Sequence, residues 1–170
     1  GLAYADRINT VSPGYAGEML TEPFGSGLHD CLAERSDKLS GILNGLDLKN
    51  WDPRTDEAIT KQYSNRSLGR KTKNKLTLQM KGGLPEVEGV PMIGLVSRMD
   101  YQKGIDTAIE ALHLIGDLNW QAFILGSGTA EIEQAAVQLM EAFPEKVFTK
   151  IGYLPDLARE IYAGADMFLI

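Results

Sequence analysis

The chain has 170 residues, 44% of them apolar and 24% charged, with a formal net charge of −6. That balance marks a soluble globular protein and argues against nucleic acid as its main partner. No apolar run nears the roughly 20 residues of a bilayer-spanning helix, and no signal-peptide pattern opens the chain, so no membrane partner is expected. The single cysteine, Cys31, excludes an intrachain disulfide and favours a reducing compartment. The chain begins without an initiator Met and closes in the apolar run DMFLI, so the expectation is a piece of a longer protein.

In chain order, ADRINTVSPGYAGEML holds a short strand, a Ser-Pro break and a helix beginning near Gly14. RSDKLSGILNGLDLKNWDP is strand-like, then rich in turn formers through Asn44, Gly45 and Pro53. Residues 49–75 carry eight of the 17 basic side chains (Lys49, Arg54, Lys61, Arg66, Arg70, Lys71, Lys73, Lys75) against three acids. Only Trp51 and Tyr63 could interleave as stacking platforms, so the stretch reads as a solvated face rather than a polyanion site. Residues 71–80 are a candidate helix ahead of the Gly82-Gly83 break.

From Pro91 the pattern alternates. PMIGLVSRM is a continuous apolar run of the kind a doubly covered parallel strand shows. Ile105, Ala108, Ile109, Leu112 and Ile115 then recur at helical spacing. WQAFILGSG is a second strand. Ile132, Ala135, Ala136, Leu139, Met140 and Phe143 mark a helix stopped by Pro144. KVFTKIGY is a third strand, LPDLAREIYAGA a helix with Pro155 near its start and Gly164 near its end, and DMFLI a fourth strand. Such alternation with short links predicts an α/β layer built on a parallel sheet. The composition shift around residues 45–84 marks a candidate linker between two domains.

Ligands of parallel sheets collect beyond the carboxyl ends of the strands. Three such ends stand out: residues 97–104, 126–129 and 152–154. Arg98 offers a planar fork for phosphate oxygens and Lys103 a mobile point charge. Gly126 and Gly128, around Ser127, would allow close backbone approach, and a helix N-terminus beyond them suits an anion. The dinucleotide fingerprint fails because position 131 is Glu, and the Walker A pattern is absent. Asp106 and Glu110 form an exposed i,i+4 pair, with Asp106 expected to cap or brace its helix. His29 reads as a surface residue, His113 as non-catalytic and Cys31 as a small packed thiol.

KLSGILNGLDLKNWDPRTD, VSRMDYQKGID, ILGSG and IGY…IYAGADMFLI, with TVSPGYAGEM and FGSGLHDCLAERSDKL at the front, resemble the bacterial glycogen synthase and plant starch synthase family over essentially the whole chain. The resemblance implies two Rossmann-like domains in the glycosyltransferase-B arrangement, present here in part: the end of the N-terminal, acceptor-side domain at residues 1–46, the interdomain linker and first helix at 47–84, and the first half of the C-terminal, donor-nucleotide-binding domain at 85–170. It also implies a retaining transfer of glucose from ADP-glucose, or UDP-glucose in some relatives, to the non-reducing end of an α-1,4-glucan. No metal or other cofactor is implied; the partners are the sugar nucleotide and the glucan.

By the same resemblance, Arg98 and Lys103 bind the donor diphosphate and act as electrostatic catalysts. Gly126, Ser127 and Gly128 form the donor-side loop, Tyr153 packs on adenine, and Asn44 lies near the cleft. His29 stands where the family usually has an acid. The family's KTGGL and EPCG motifs would fall outside these residues, so the fragment itself is expected to be inactive. The location implied is cytoplasmic for a bacterial chain and plastid for a plant one. Two alternatives stay open: another retaining glycosyltransferase of this architecture, such as a sucrose synthase or mannosyltransferase, and a non-catalytic nucleotide- or glucan-binding module.

Overall fold

Two short apolar segments build the first of two units into which the chain divides, Gly1–Asp47 and Leu48–Ile170, in a computed structural model that describes residues 1–170. Strands β1 (Ile8–Val11) and β2 (Leu39–Ile42) pair in parallel, with Ile8 opposite Leu39 and Val11 opposite Ile42. Ser12 follows with a φ of 82°, and its Oγ accepts the Tyr15 N–H at 3.1 Å. That bond caps α1 (Pro13–Glu18), whose first turn tolerates Pro13 because its N–H would be unpaired there anyway. The expected Ser-Pro break is therefore the helix cap itself. A second helix, α2 (His29–Ala33), spans only five residues, too short for a periodic apolar signal, and the sequence reading missed it.

The second unit holds α3 (Lys71–Lys81), β3 (Met92–Val96), α4 (Ile105–Leu114), β4 (Gln121–Gly126), α5 (Ala130–Ala142), β5 (Val147–Ile151), α6 (Pro155–Gly164) and β6 (Met167–Phe168). Every strand pairing is parallel, in the order β5-β4-β3-β6. The sheet starts at β3, grows through β4 and β5 on one side, then returns to add β6 on the other. Strand order thus reverses beside β3, the position at which doubly wound sheets open a crevice for ligands. The expected α/β class with parallel sheets and flanking helices is what forms.

Strand composition follows from cover on both faces. Along β3 and β4, Ile93, Leu95, Ala122 and Ile124 face α4 and α5, where Ile105, Ile109, Leu112, Ile132, Ala136 and Leu139 meet them. Met92, Phe123 and Leu125 face α3 and α6, packing with Leu78 and Ile161. All six residues of β4 are buried, so after Gln121 its run is apolar without alternation. The DMFLI run is strand only over Met167 and Phe168, opposite Ile93 and Gly94.

The segment read as a linker and first helix, residues 47–84, groups with the second unit from Leu48 onward. Specific polar bonds tie it down. The Asn74 side chain accepts the Lys61 N–H and donates to the Lys61 carbonyl, both at 2.8 Å, and Asp56 lies 3.1 Å from Arg159 of α6. The basic stretch is only partly the solvated face expected of it. Arg66, Arg70 and Lys73 are exposed. Lys75 is buried, with its Nζ 2.6 Å from Asp166 and donating to the Glu88 carbonyl at 2.8 Å. No helix is long and apolar enough to cross a membrane.

Candidate functional site

The loops leaving β3, β4 and β5 are joined by backbone bonds just beyond the sheet. Ser97 N–H donates to the Leu125 carbonyl at 3.1 Å, Met99 N–H to that of Ser127 at 2.9 Å, Thr129 N–H to that of Met99 at 2.9 Å, and Gly152 N–H to that of Gly126 at 2.7 Å. Met99 is fully buried and anchors the first loop from below. This arrangement changes the reason for two glycines. A Cβ on Gly126 would fall on the Ser97 carbonyl, and one on Gly128 on the Met99 carbonyl. The close approach that these glycines permit is that of the neighbouring loop.

Above Met99 the loop forms a tight turn. Asp100 caps a single 3-10 turn over Tyr101–Lys103, its Oδ1 accepting the Lys103 N–H at 3.0 Å. Gly104, at a φ of 64°, adopts a left-handed conformation costly for any residue with a Cβ, and so redirects the chain into α4. Arg98 is tied to the same turn: its Nε donates to Asp100 Oδ2 and its Nη2 to Gln102 Oε1, the latter at 2.9 Å. A guanidinium has five N–H donors, so three stay available. Lys103 is exposed and forms no ion pair among the described residues.

Two cavities open on either side of the β3 end, and Val96 and Ser97 line both. One, of about 360 Å³, has Arg98, Gly126, Ser127, Gly152 and Tyr153 at its polar rim and Leu125, Leu154 and Ala158 as its apolar wall. Tyr153 is 87% exposed, so a ring face is free for stacking. The other, of about 590 Å³, lies toward β6 and includes Lys103, Gly104 and Thr107. Arg98 and Lys103 therefore flank one strand end from opposite sides. Asn44 lies just past β2, in the first unit.

The helix N-terminus beyond Gly128 is not vacant as expected. Glu133, in the first turns of α5, reaches back so that its Oε1 accepts the Gly128 N–H at 2.7 Å. A carboxylate thus occupies an amide of the kind a phosphate would take. Asp106 does not cap α4: Gly104 holds that position without a side-chain cap, and Asp106 sits in the first turn, where its charge suits the helix dipole. His29 is half-buried rather than a surface residue. Its Nε2 lies 3.6 Å from Asp30, and its buried Nδ1 has no hydrogen-bond partner. His113 is exposed, its ring centroid 5.5 Å from that of Phe143. Asp100, Gln102 and Glu133 were missed by sequence reasoning. The Asp three residues before Lys103 was the available signal, since Asp favours such turn-initiating positions.

Known proteins resemble this chain in sequence and fold. A family model described as the starch synthase catalytic domain matches residues 1–34. Over all 170 residues the chain is 45% identical to a glycogen synthase of Nitrosomonas eutropha, covering 34% of that protein. The catalytic domain of starch synthase IV from Arabidopsis thaliana, solved bound to ADP and acarbose, matches with a TM-score of 0.91 at 33% identity, over 98% of this chain and 35% of that one. A glycosyltransferase from Rickettsia africae shares the fold, with a TM-score of 0.61 at 18% identity over 96% of this chain and 37% of its own. The resemblance carried by the sequence motifs is borne out along the whole chain. The chain spans about a third of the length of the curated relatives it matches.

Proposed function

We propose that the protein containing these residues is a retaining glucosyltransferase of the glycogen and starch synthase type. It moves glucose from ADP-glucose to the non-reducing end of an α-1,4-glucan. The observation that carries the reading is the placement of Arg98 and Lys103 at one strand end, beside a cavity rimmed by the exposed Tyr153. It is supported by 45% identity to a glycogen synthase and by the match to a starch synthase bound to ADP and acarbose.

The cavity suits a nucleotide diphosphate in parts. Tyr153 offers a ring face to the base, and Leu125, Leu154 and Ala158 an apolar wall. Arg98 and Lys103 meet the diphosphate, and the loop at Gly126, Ser127 and Gly128 closes the donor side. Asn44 is assigned to the donor side on its motif alone. Breaking the glucosyl–phosphate bond moves negative charge onto the departing ADP. Fixed cations that hold the phosphates more tightly as this charge grows lower the barrier. The reading calls on no metal ion, because these two side chains supply the positive charge.

The test uses the full-length protein, radiolabelled ADP-glucose and maltooligosaccharides. Labelled glucan is expected from the wild type. Arg98→Ala and Lys103→Ala should each lower kcat by about 30- to 1000-fold, more than they raise the donor KM. Absence of labelled glucan from both ADP-glucose and UDP-glucose would overturn the reading in favour of a non-catalytic binding module.

A further inference from the structure

We infer that Asp100 is a positioning residue that fixes the Arg98 guanidinium against the turn that carries Lys103. The inference rests on the proposed role of Arg98 and names a residue that acts through it. Asp100 uses both carboxylate oxygens for this purpose. Oδ2 accepts from Arg98 Nε and Oδ1 from the Lys103 backbone N–H at 3.0 Å, so one carboxylate ties the Arg98 guanidinium to the turn that carries Lys103. The Asp100 side chain is 20% exposed and that of Arg98 60%, which makes the carboxylate the fixed member and the guanidinium the member being held. Gln102 completes the clamp from the same turn, accepting from Arg98 Nη2 at 2.9 Å. The turn itself stands on the buried Met99, whose N–H and carbonyl are both bonded to the loop after β4.

This carboxylate acts through orientation and not through its charge. A negative charge beside Arg98 opposes the approach of a diphosphate, so Asp100 contributes nothing to anion binding through its charge. What it contributes is geometry. An unrestrained Arg side chain samples many rotamers, and freezing them costs free energy at the moment of reaction. With Nε and one Nη2 hydrogen held, the three remaining N–H donors point in a direction set before the donor arrives. Preorganisation of this kind appears in the chemical step, because a misplacement of about 1 Å is enough to cost about a hundredfold in rate.

The test is made in the full-length protein with ADP-glucose and maltooligosaccharide, using Asp100→Ser, Asp100→Ala, Arg98→Ala and the double variant Asp100→Ser/Arg98→Ala. Serine can still cap the turn at the Lys103 N–H but is too short to tether Arg98. We expect Asp100→Ser to keep the wild-type melting temperature while losing about 10- to 100-fold in kcat, with donor KM changed less than about threefold. We expect Asp100→Ser to add no further loss in the Arg98→Ala background, because the residue acts through Arg98. Wild-type kcat in Asp100→Ser, with Arg98→Ala still impaired, would overturn the inference and leave the functional reading intact. A full additional loss in the double variant would also overturn it. Wild-type kcat in Arg98→Ala would instead overturn the functional reading on which the inference rests. If only Asp100→Ala loses activity and its melting temperature falls with it, the carboxylate is a turn cap alone and the positioning role is refuted.

Discussion

At the scale of single residues, the groups that set the candidate site are fixed by partners two to five positions away. Asp100, Gln102 and Glu133 each reach a neighbour in the same loop or turn. Local pairing of this kind also governs the turn after Trp51. Asp52 accepts the Arg54 N–H at 2.9 Å and its guanidinium at 2.6–2.9 Å, which holds the Asp52 carboxyl down at about 2 against an ordinary value of 3.8. A depressed carboxylate contributes stability that is fully present above its ordinary value and is lost as pH falls through the folded value. The stability difference between wild type and Asp52→Asn should therefore be constant above about pH 5 and shrink between about pH 4 and 2. Carboxyl NMR titration provides the direct check. Asp52 should titrate near 2 in the wild type and return toward 3.8 in Arg54→Ala.

At the scale of elements, the second unit depends on a bridge from α3 to the start of β6. Lys75 is buried between Asp166 and the Glu88 carbonyl, while Asp166 also accepts the Met92 N–H at 2.8 Å. The two partners differ in exposure: the Lys75 side chain is 6% exposed and that of Asp166 43%. Removing Asp166 leaves a buried ammonium without its counter-ion, whereas removing Lys75 leaves a carboxylate that water can still reach. Asp166→Ala should therefore cost more, about 3–5 kcal/mol, than Lys75→Met, which conserves volume and should cost under about 2 kcal/mol. Denaturant midpoints of the two variants in the full-length protein test the order; equal losses would mean that the pair acts through packing alone. Seen from this side, the position of β6 against β3 comes from a pair separated by 91 residues, which no local pattern announces.

At the scale of the whole molecule, the second unit brings three strand ends together because β3, β4 and β5 lie side by side and run parallel. A ligand that bridges those ends should stabilise the unit as a body. Saturating ADP at about 100 times its Kd should add about 2.7 kcal/mol of stability, and Arg98→Ala should reduce that gain at the same ADP concentration. Hydrogen exchange in the full-length protein should show slower exchange at residues 97–103, 126–128 and 152–154 when ADP is added. Protection confined to other parts of the chain would place the nucleotide elsewhere.

Much of this architecture was legible in the amino-acid order. Continuous apolar runs such as MIGLV and QAFILG occur where a strand is covered on both faces, and helical spacing of Ile105, Ile109 and Leu112 marks the face that provides one of the covers. Periodicity is a local record of burial, so strands, helices and the strand-end positions of Arg98, Lys103 and Tyr153 could be read directly. Only the tertiary structure decided what those residues touch. Gly126 and Gly128 make room for the loop carrying Ser97 and Met99, a Glu133 carboxylate occupies the Gly128 amide, and Lys75 leaves its basic neighbours to pair with Asp166. Residues 48–84, turn-rich and basic in composition, join the rest of the second unit through Asp56, Lys75 and Lys81, which pair with Arg159, Asp166 and Glu160. The reason is physical: burial repeats with the period of the backbone, but a hydrogen bond or an ion pair is a meeting of two particular atoms, and its partner is chosen by the fold.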